Sequence, residues 1–493
     1  MNRWQKKSWT LINGLILFTA GGLRLAMLLQ NRSLFMDEAS LALCLAEGKL
    51  SDFFQPLDHY QYAPPLFMMW SKWSILIAGA GEMVLRFLPF IASLAALYLL
   101  FCCCQLLRIR TTIICYPLLF FGFSEMLLRF STEFKPYSSD TLMALLAIWL
   151  CLKKPPSSWN RKTITLWLLL GCAGSWFSMP LVFVLTGVGA YYAYSFWKNG
   201  QKRALGQIAL LIVAWMLSFA WYYWLVLKTN LAFDPLAQYH QAYFFPLLPT
   251  NATDWRQAGA LLLGIFKPAA GFTALALITG GSFWLLAFAY WIKKEPAKAL
   301  LFGLPILATL LASGLGYFSL LPRVSLFMTP LFILGIARGA SVLMEKTARY
   351  YPFLIWGICL LAVFPSLENG KYFSRPYQVE ELKPILQHLQ AYRALPIWLD
   401  HECVTVYRYY STVHPQQRTY RLENVHWGKW EEQPVEWVSS LPPKQTFGLI
   451  YSHLLSEENR QRMDRELEVI LKKANVVDIY EAKGAKVWVL EGR

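Results

Sequence analysis

The chain has 493 residues, of which 56% are hydrophobic, 16% aromatic and 15% charged, and its mean hydropathy is +0.36; a soluble domain carries about 25% charged residues, so a soluble globular protein is excluded. A net charge of +16 would point to nucleic acid in a soluble chain, but here lysine and arginine collect in short segments between apolar runs, as in the cytoplasmic loops of membrane proteins, and no nucleic-acid partner is expected. The nine cysteines lie mostly inside apolar runs, Cys102, Cys103 and Cys104 among them, where they behave as small hydrophobes; no CxxC pair or disulfide framework is visible.

A spanning helix needs about 20 mostly apolar residues. In chain order the candidates are 9–29, 86–107, 112–129, 137–152, 163–178, 180–197, 204–227, 270–292, 299–316, 324–341 and 352–366. The first lacks a small-residue cleavage site and reads as an uncleaved span. The run 64–80, opened by Pro64 and Pro65 and interrupted by Lys72, is ambiguous, and counting it as a span would reverse every later loop. With the N-terminus inside and 64–80 outside as a juxtamembrane helix, the inner loops are 108–110, 153–162, 198–203, 293–298 and 338–351. Together with the N-terminal tail they hold 18 Lys and Arg against two acids, while the outer loops are nearly balanced. The positive-inside rule therefore selects a polytopic α-helical protein of about 11 spans. Residues 1–366 form its membrane domain, with 30–85 as one long first outer loop.

From 367 to 493 the composition turns polar. Helical patterns at 377–392 and 456–474 alternate with strand-like runs at 395–400, 446–452, 476–480 and 485–491, which predicts a small α/β domain. An odd number of spans puts it on the outer face, with the first loop.

Charged residues gather on that face. Asp37 and Glu38 open an amphipathic stretch carrying Ala39, Leu41, Leu43 and Leu45; Arg129, Glu133, Lys135 and Asp140 flank the second outer loop; Arg323 lies in a later one and Arg408 in the tail. Arg24 stands inside the first span, where an arginine needs a partner: Asp37, a lipid phosphate, or water reached by snorkelling. Taken singly, charges at span ends are routine. Taken together, acids and cations from separate loops suit a reaction in which a carboxylate takes a proton from an attacking hydroxyl while cations hold a phosphate leaving group. A lipid phosphate in the outer leaflet is the substrate such a site can reach.

Four stretches occur in order: "SLFMDEASLAL", "APPLFMMW", "GEMVLRFLPFIASLAALYLL" and "STEFKPYSSDTLMAL". With "LLPRVSLFMTPLFILGIARG" and "IWLDHECVTVYRYYS" from later in the chain, they resemble the membrane glycosyltransferases of the GT-C fold, in the bacterial branch related to protein O-mannosyltransferases and lipid A aminoarabinose transferases. The resemblance implies a multi-pass enzyme of the inner (plasma) membrane with its site and tail periplasmic. It would take a sugar from a polyprenyl-phosphate donor and give it to a glycolipid, glycan or protein acceptor, inverting the anomeric carbon. It implies Asp37 as the base, with Glu38 beside it, Glu133 as the second acid, and Lys135, Arg323 and Arg129 as ligands of the donor phosphate. Many relatives have His-Pro-Pro where this chain has Ala63-Pro64-Pro65, so His59 becomes the substitute proton shuttle to test. No cofactor is implied; Mg²⁺ or Mn²⁺ on the outer carboxylates, as in oligosaccharyltransferase relatives, is the alternative. Two other functions fit a polytopic chain with charges at one face: a transporter or flippase of lipid-linked sugars, and a ligase or polymerase joining lipid-linked glycans. The first would be expected to show inverted repeats and polar groups at mid-membrane, which the sequence lacks.

Overall fold

The computed structural model describes residues 3–59, 61–228, 239–347, 352–430 and 432–493; residues 348–351 of the expected inner loop 338–351 fall outside them. The apolar runs form helices in the expected order: α1 (Arg3–Leu29), α2 (Met36–Glu47), α3 (Pro65–Ala78), α4 (Glu82–Leu106), α5 (Cys115–Phe123), α6 (Glu125–Ser131), α7 (Tyr137–Lys153), α8 (Arg161–Phe177), α9 (Leu181–Lys198), α10 (Lys202–Tyr222), α11 (Ala252–Ala270), α12 (Ala274–Lys294), α13 (Pro296–Gly314), α14 (Thr329–Thr347) and α15 (Pro352–Leu367). Six segments among the described residues are long and apolar enough to cross a membrane: Ser8–Leu29, Glu82–Leu106, Lys202–Leu227, Ala274–Lys294, Pro296–Gly314 and Leu326–Thr347. This is a multi-pass membrane protein.

Two expectations need amendment. The run 112–129 is not one helix but α5 and α6, broken where Ser124 turns to an extended ψ of 127°. Such a break leaves the last carbonyls of α5 without helical donors, a serious cost away from water. Arg24 removes much of that cost: its guanidinium donates to the carbonyls of Phe121 (2.9 Å) and Gly122 (2.9 Å), and Asn369 donates to that of Phe123 (2.9 Å). Arg24 also donates to Ser93 Oγ at 2.7 Å and is fully buried. Its partners are therefore the end of α5, the Ala20 carbonyl one turn back in α1 and a hydroxyl; Asp37 is not among them, and the side chain does not snorkel to the surface. The second amendment is α11, which occupies residues between the expected spans 204–227 and 270–292 where no helix is expected; Asp254, Arg256, Lys267 and Pro268 interrupt its apolar run.

α14 is buried along nearly its whole length and packs closely on α12. A Cβ added at Gly339 would run into the backbone of Phe283, so the two helix axes can approach only because that side chain is missing. Gly339→Ala is expected to destabilise the fold by about 1–3 kcal/mol, read as a lowered unfolding temperature of the detergent-solubilised protein.

The tail builds one five-stranded sheet from β1 (Pro396–Leu399), β2 (Asn424–Trp427), β3 (Thr446–Tyr451), β4 (Ala474–Ala482) and β5 (Ala485–Gly492), with helices α16 (Leu382–His388), α17 (His401–Arg408), α18 (Gln417–Tyr420), α19 (Pro434–Ser439) and α20 (Glu457–Leu471). The strand order is β2-β1-β3-β5-β4. β2, β1 and β3 run parallel, and β5 pairs antiparallel with β3 and β4. Gly484, at φ +70°, makes the tight β4–β5 turn that a side chain would strain. Four of the strands coincide with expected runs; β2, "NVHW", is too short and polar to have stood out. The tail docks through the buried Glu82 at the start of α4, which accepts from Lys383 Nζ (2.9 Å), Tyr410 OH (3.1 Å) and His414 Nε2 (3.0 Å).

Candidate active site

Asp37 and Glu38 are adjacent in sequence, yet their surroundings are opposite. α2 begins at Met36, and Glu38 reaches back to accept the Phe35 N–H at 3.2 Å, an N-terminal capping geometry. Glu38 is fully buried. Arg86 of α4 grips both of its oxygens, through Nε at 2.8 Å and Nη2 at 2.7 Å, while Arg32 stands 3.6 Å away and the Phe134 N–H donates at 2.7 Å. Burial alone would raise this carboxyl, but Arg86 and Arg32 hold it well below the usual carboxylate range. Arg86 Nη1 donates to the Arg32 carbonyl, and Nη2 donates to the Ser33 carbonyl as well as to Glu38, both carbonyl bonds at 2.8 Å. Glu38 thus fastens the first loop to α4 and to the loop before α7.

One residue back along the helix is about 100° around its axis, and Asp37 turns the other way, into a cavity of about 310 Å³ that it lines together with Lys135, Arg323 and Asp140. Arg323 Nη1 is 3.6 Å and Lys135 Nζ 3.9 Å from Asp37 Oδ2. Lys135 also donates to Gln61 Oε1 at 2.6 Å. Burial pulls Lys135 below its ordinary value, only partly offset by Asp37. For Arg323 burial is overcome by Tyr137 and Asp37, which raise it. Two cations of different kinds thus converge on one partly exposed carboxylate. Apart from this polar end, the cavity walls are mainly apolar and include Met179, Leu227, Phe244 and Phe318.

Arg323 and Tyr239 also line a second cavity of about 270 Å³, where Arg129 stands. Glu133 is buried beside it, accepting from Arg129 Nε at 2.7 Å, and lines neither of these cavities. Asp140, one turn into α7, is buried on the wall of the main cavity, and its Oδ1 has no hydrogen-bond partner among the described residues. His59 lies off the cavity at φ +55°; its carbonyl accepts from Gln61 Nε2 at 3.2 Å. Arg408 lines neither of these cavities; it pairs with Glu47 at 2.9 Å, both half-exposed.

Gln61, Tyr62 and His240 are among the cavity residues that sequence reasoning missed. His240 shares a hydrogen bond of 2.9 Å with Ser319 Oγ, and its local sequence, "QYHQAY", carries no motif. Arg86 was legible in principle, since an arginine within a span asks for a partner. A divalent ion needs several converging oxygens; Asp37 is instead flanked by an ammonium and a guanidinium, and no three His, Cys, Asp or Glu among the described residues are grouped to hold an ion. The Mg²⁺ or Mn²⁺ alternative does not fit this donor set.

No protein-family model and no curated protein sequence matches the chain. Solved structures do match it along nearly its full length. ArnT from Cupriavidus metallidurans bound to undecaprenyl phosphate is similar at a TM-score of 0.52 and 12% identity, over 98% of both chains; the apo state of that protein gives 0.51. The oligosaccharyltransferase of Archaeoglobus fulgidus in complex with zinc and sulfate gives 0.50 at 12% identity, over 96% of this chain and 72% of the other. At such identity the likeness concerns the fold, and it bears out the resemblance drawn from the ordered sequence stretches: the chain has the GT-C fold of the membrane glycosyltransferases.

Proposed function

We propose that this protein transfers a sugar from a polyprenyl-phosphate carrier to an acceptor hydroxyl at the outer face of the membrane, in a topology of about 11 spans with the tail on the same side. The observation that carries the reading is the Asp37 carboxylate, set 3.6 and 3.9 Å from Arg323 and Lys135 at the polar end of a largely apolar cavity. A carrier whose tail lies along the apolar wall would bring its phosphate to the two cations, and the fold neighbour bound to undecaprenyl phosphate supports a carrier of that kind. Asp37 takes the proton of the acceptor hydroxyl as its oxygen attacks the anomeric carbon. The bond from that carbon to the phosphate oxygen breaks, and the electron pair leaves on the phosphate, where Lys135 and Arg323 hold the added charge. A single displacement inverts the carbon; a retaining route would need a second carboxylate as covalent nucleophile, and Glu38 is engaged by Arg86 instead. In this reading Glu133 steadies Arg129 at the neighbouring cavity, and Asp140 accepts a hydrogen bond from the sugar.

Binding of undecaprenyl phosphate to the purified protein tests the phosphate site. A charged hydrogen bond contributes about 1.5–3 kcal/mol, so Lys135→Ala and Arg323→Ala are each expected to weaken binding by about 10- to 100-fold. Unchanged affinity in both would remove these residues from the donor site.

A further inference from the structure

The tail sheet has a feature that its packing role does not explain. β1 connects onward to β2 on one side, and the chain then returns across β1 to enter β3 on the other. The crevice beyond the carboxyl ends of β1 and β3 is therefore the switch point at which open α/β sheets take ligands. Asp400, His401 and Glu402 follow β1 there, and Ser452 and His453 follow β3. What meets this edge is the first loop itself. The Phe35 ring lies against the His453 ring with centroids 5.5 Å apart, and Phe35 is the residue that precedes α2 and the Asp37 turn. The preceding residues are held by the tail as well. Lys383 donates to the Asn31 carbonyl, Glu381 accepts from both the N–H and the hydroxyl of Ser33 (3.0 and 2.7 Å), and Tyr410 OH accepts the Leu34 N–H at 3.0 Å.

His453 is held in turn. Its Nδ1 is 3.1 Å from Glu380 Oε2 and 3.9 Å from Glu402 Oε2, and its φ of +57° is one that non-glycine residues keep only when their surroundings over-determine it. We propose that the tail is a positioning element of the reaction centre, in which His453, braced by Glu380 and Glu402, fixes Phe35 and through it the first turn of α2 that aims Asp37. The proposal rests on the transferase reading; His453 itself touches no reacting atom. Burial would lower the imidazole, but Glu380, Glu402 and, from α2, Asp37 all face it with negative charge and keep it above its ordinary value. A raised value means that the charged brace is complete at low pH and is lost as pH rises through it.

Two variants and two readouts test this. His453→Asn keeps a residue that tolerates positive φ and a donor for Glu380, but removes the ring; Phe35→Ala removes the ring from the other side. Each is expected to lower kcat at least about tenfold, or 1.4 kcal/mol, with undecaprenyl phosphate affinity and unfolding temperature near wild type, and the double variant to be no worse than the poorer single one. Independently of turnover, the hydrogen-exchange protection of the Ser33 and Leu34 amides, taken relative to the intrinsic base-catalysed rate at each pH, should fall in both variants, and in the wild type at alkaline pH. Wild-type exchange and kcat in both variants, or fully additive losses, would overturn the positioning role. A wild-type protein that turns over no carrier, yet shows the exchange effect, would sink the transferase reading and leave the clamp standing.

Discussion

Asp37→Asn is expected to lower turnover by about 10²- to 10⁴-fold, the usual contribution of a positioned general base, while leaving the protein folded. Asparagine has the same shape and size, so the mouth of the cavity is preserved. Asp37 is also partly exposed and, among the described residues, makes two loose ion pairs, at 3.6 and 3.9 Å, so little stability rests on its charge. Donor binding should hold or tighten, because the carboxylate no longer competes with a phosphate for Lys135 and Arg323. Mass spectrometry of the lipid carriers would give kcat, and direct binding of undecaprenyl phosphate the affinity. Retained turnover would take Asp37 out of the mechanism, and turnover lost in step with affinity would make it a donor ligand instead.

Breaking the pair behind it should have the opposite signature. Arg86→Met leaves the Glu38 carboxylate fully buried without its bidentate partner, and removing one member of a buried ion pair costs about 3–5 kcal/mol. The first loop, α4 and the backbone at Phe134 all meet at this carboxylate, so the loss should appear as a large fall in unfolding temperature and in yield of folded protein. Glu38→Gln combined with Arg86→Met removes both charges and should recover much of it. Because the folded Glu38 titrates below its ordinary range, its stabilisation is present above the unfolded carboxyl value and is lost as pH falls toward the depressed one. The wild type should therefore lose more stability in acid than the double variant. Equal acid sensitivity, or an Arg86→Met protein as stable as wild type, would contradict the role given to this pair.

The neighbouring acids show where sequence reading reaches its limit. Both were legible as a pair at the start of an amphipathic helix, but which one faces the cavity depends on Arg86, 48 residues away, and on a rotation about the helix axis that no local pattern fixes. Apolar runs delimited most of the long helices, because length and hydropathy are local quantities. Ser124 interrupts a continuous apolar run, and the break is tolerated only through the distant donors Arg24 and Asn369, so it could not be seen in that run. α11 was missed because its charged residues lie along an amphipathic helix that reads as loop when only spans are sought. The alternating pattern of the tail was visible, whereas its hold on the first loop joins residues about 350 positions apart, such as Ser33 and Glu381, with no motif on either side. His240 came into the cavity the same way.

The most direct test of the central claim is to incubate the purified wild-type protein with undecaprenyl-phosphate-linked sugars and envelope lipids, glycans or proteins as acceptors, following carriers and products by mass spectrometry. The account predicts that one carrier is consumed, that free undecaprenyl phosphate is released in equal amount with a glycosylated acceptor, and that the anomeric carbon of the product is inverted. Carriers that all stay intact, while the reconstituted protein moves them across a vesicle membrane, would contradict it and identify a transporter of lipid-linked sugars.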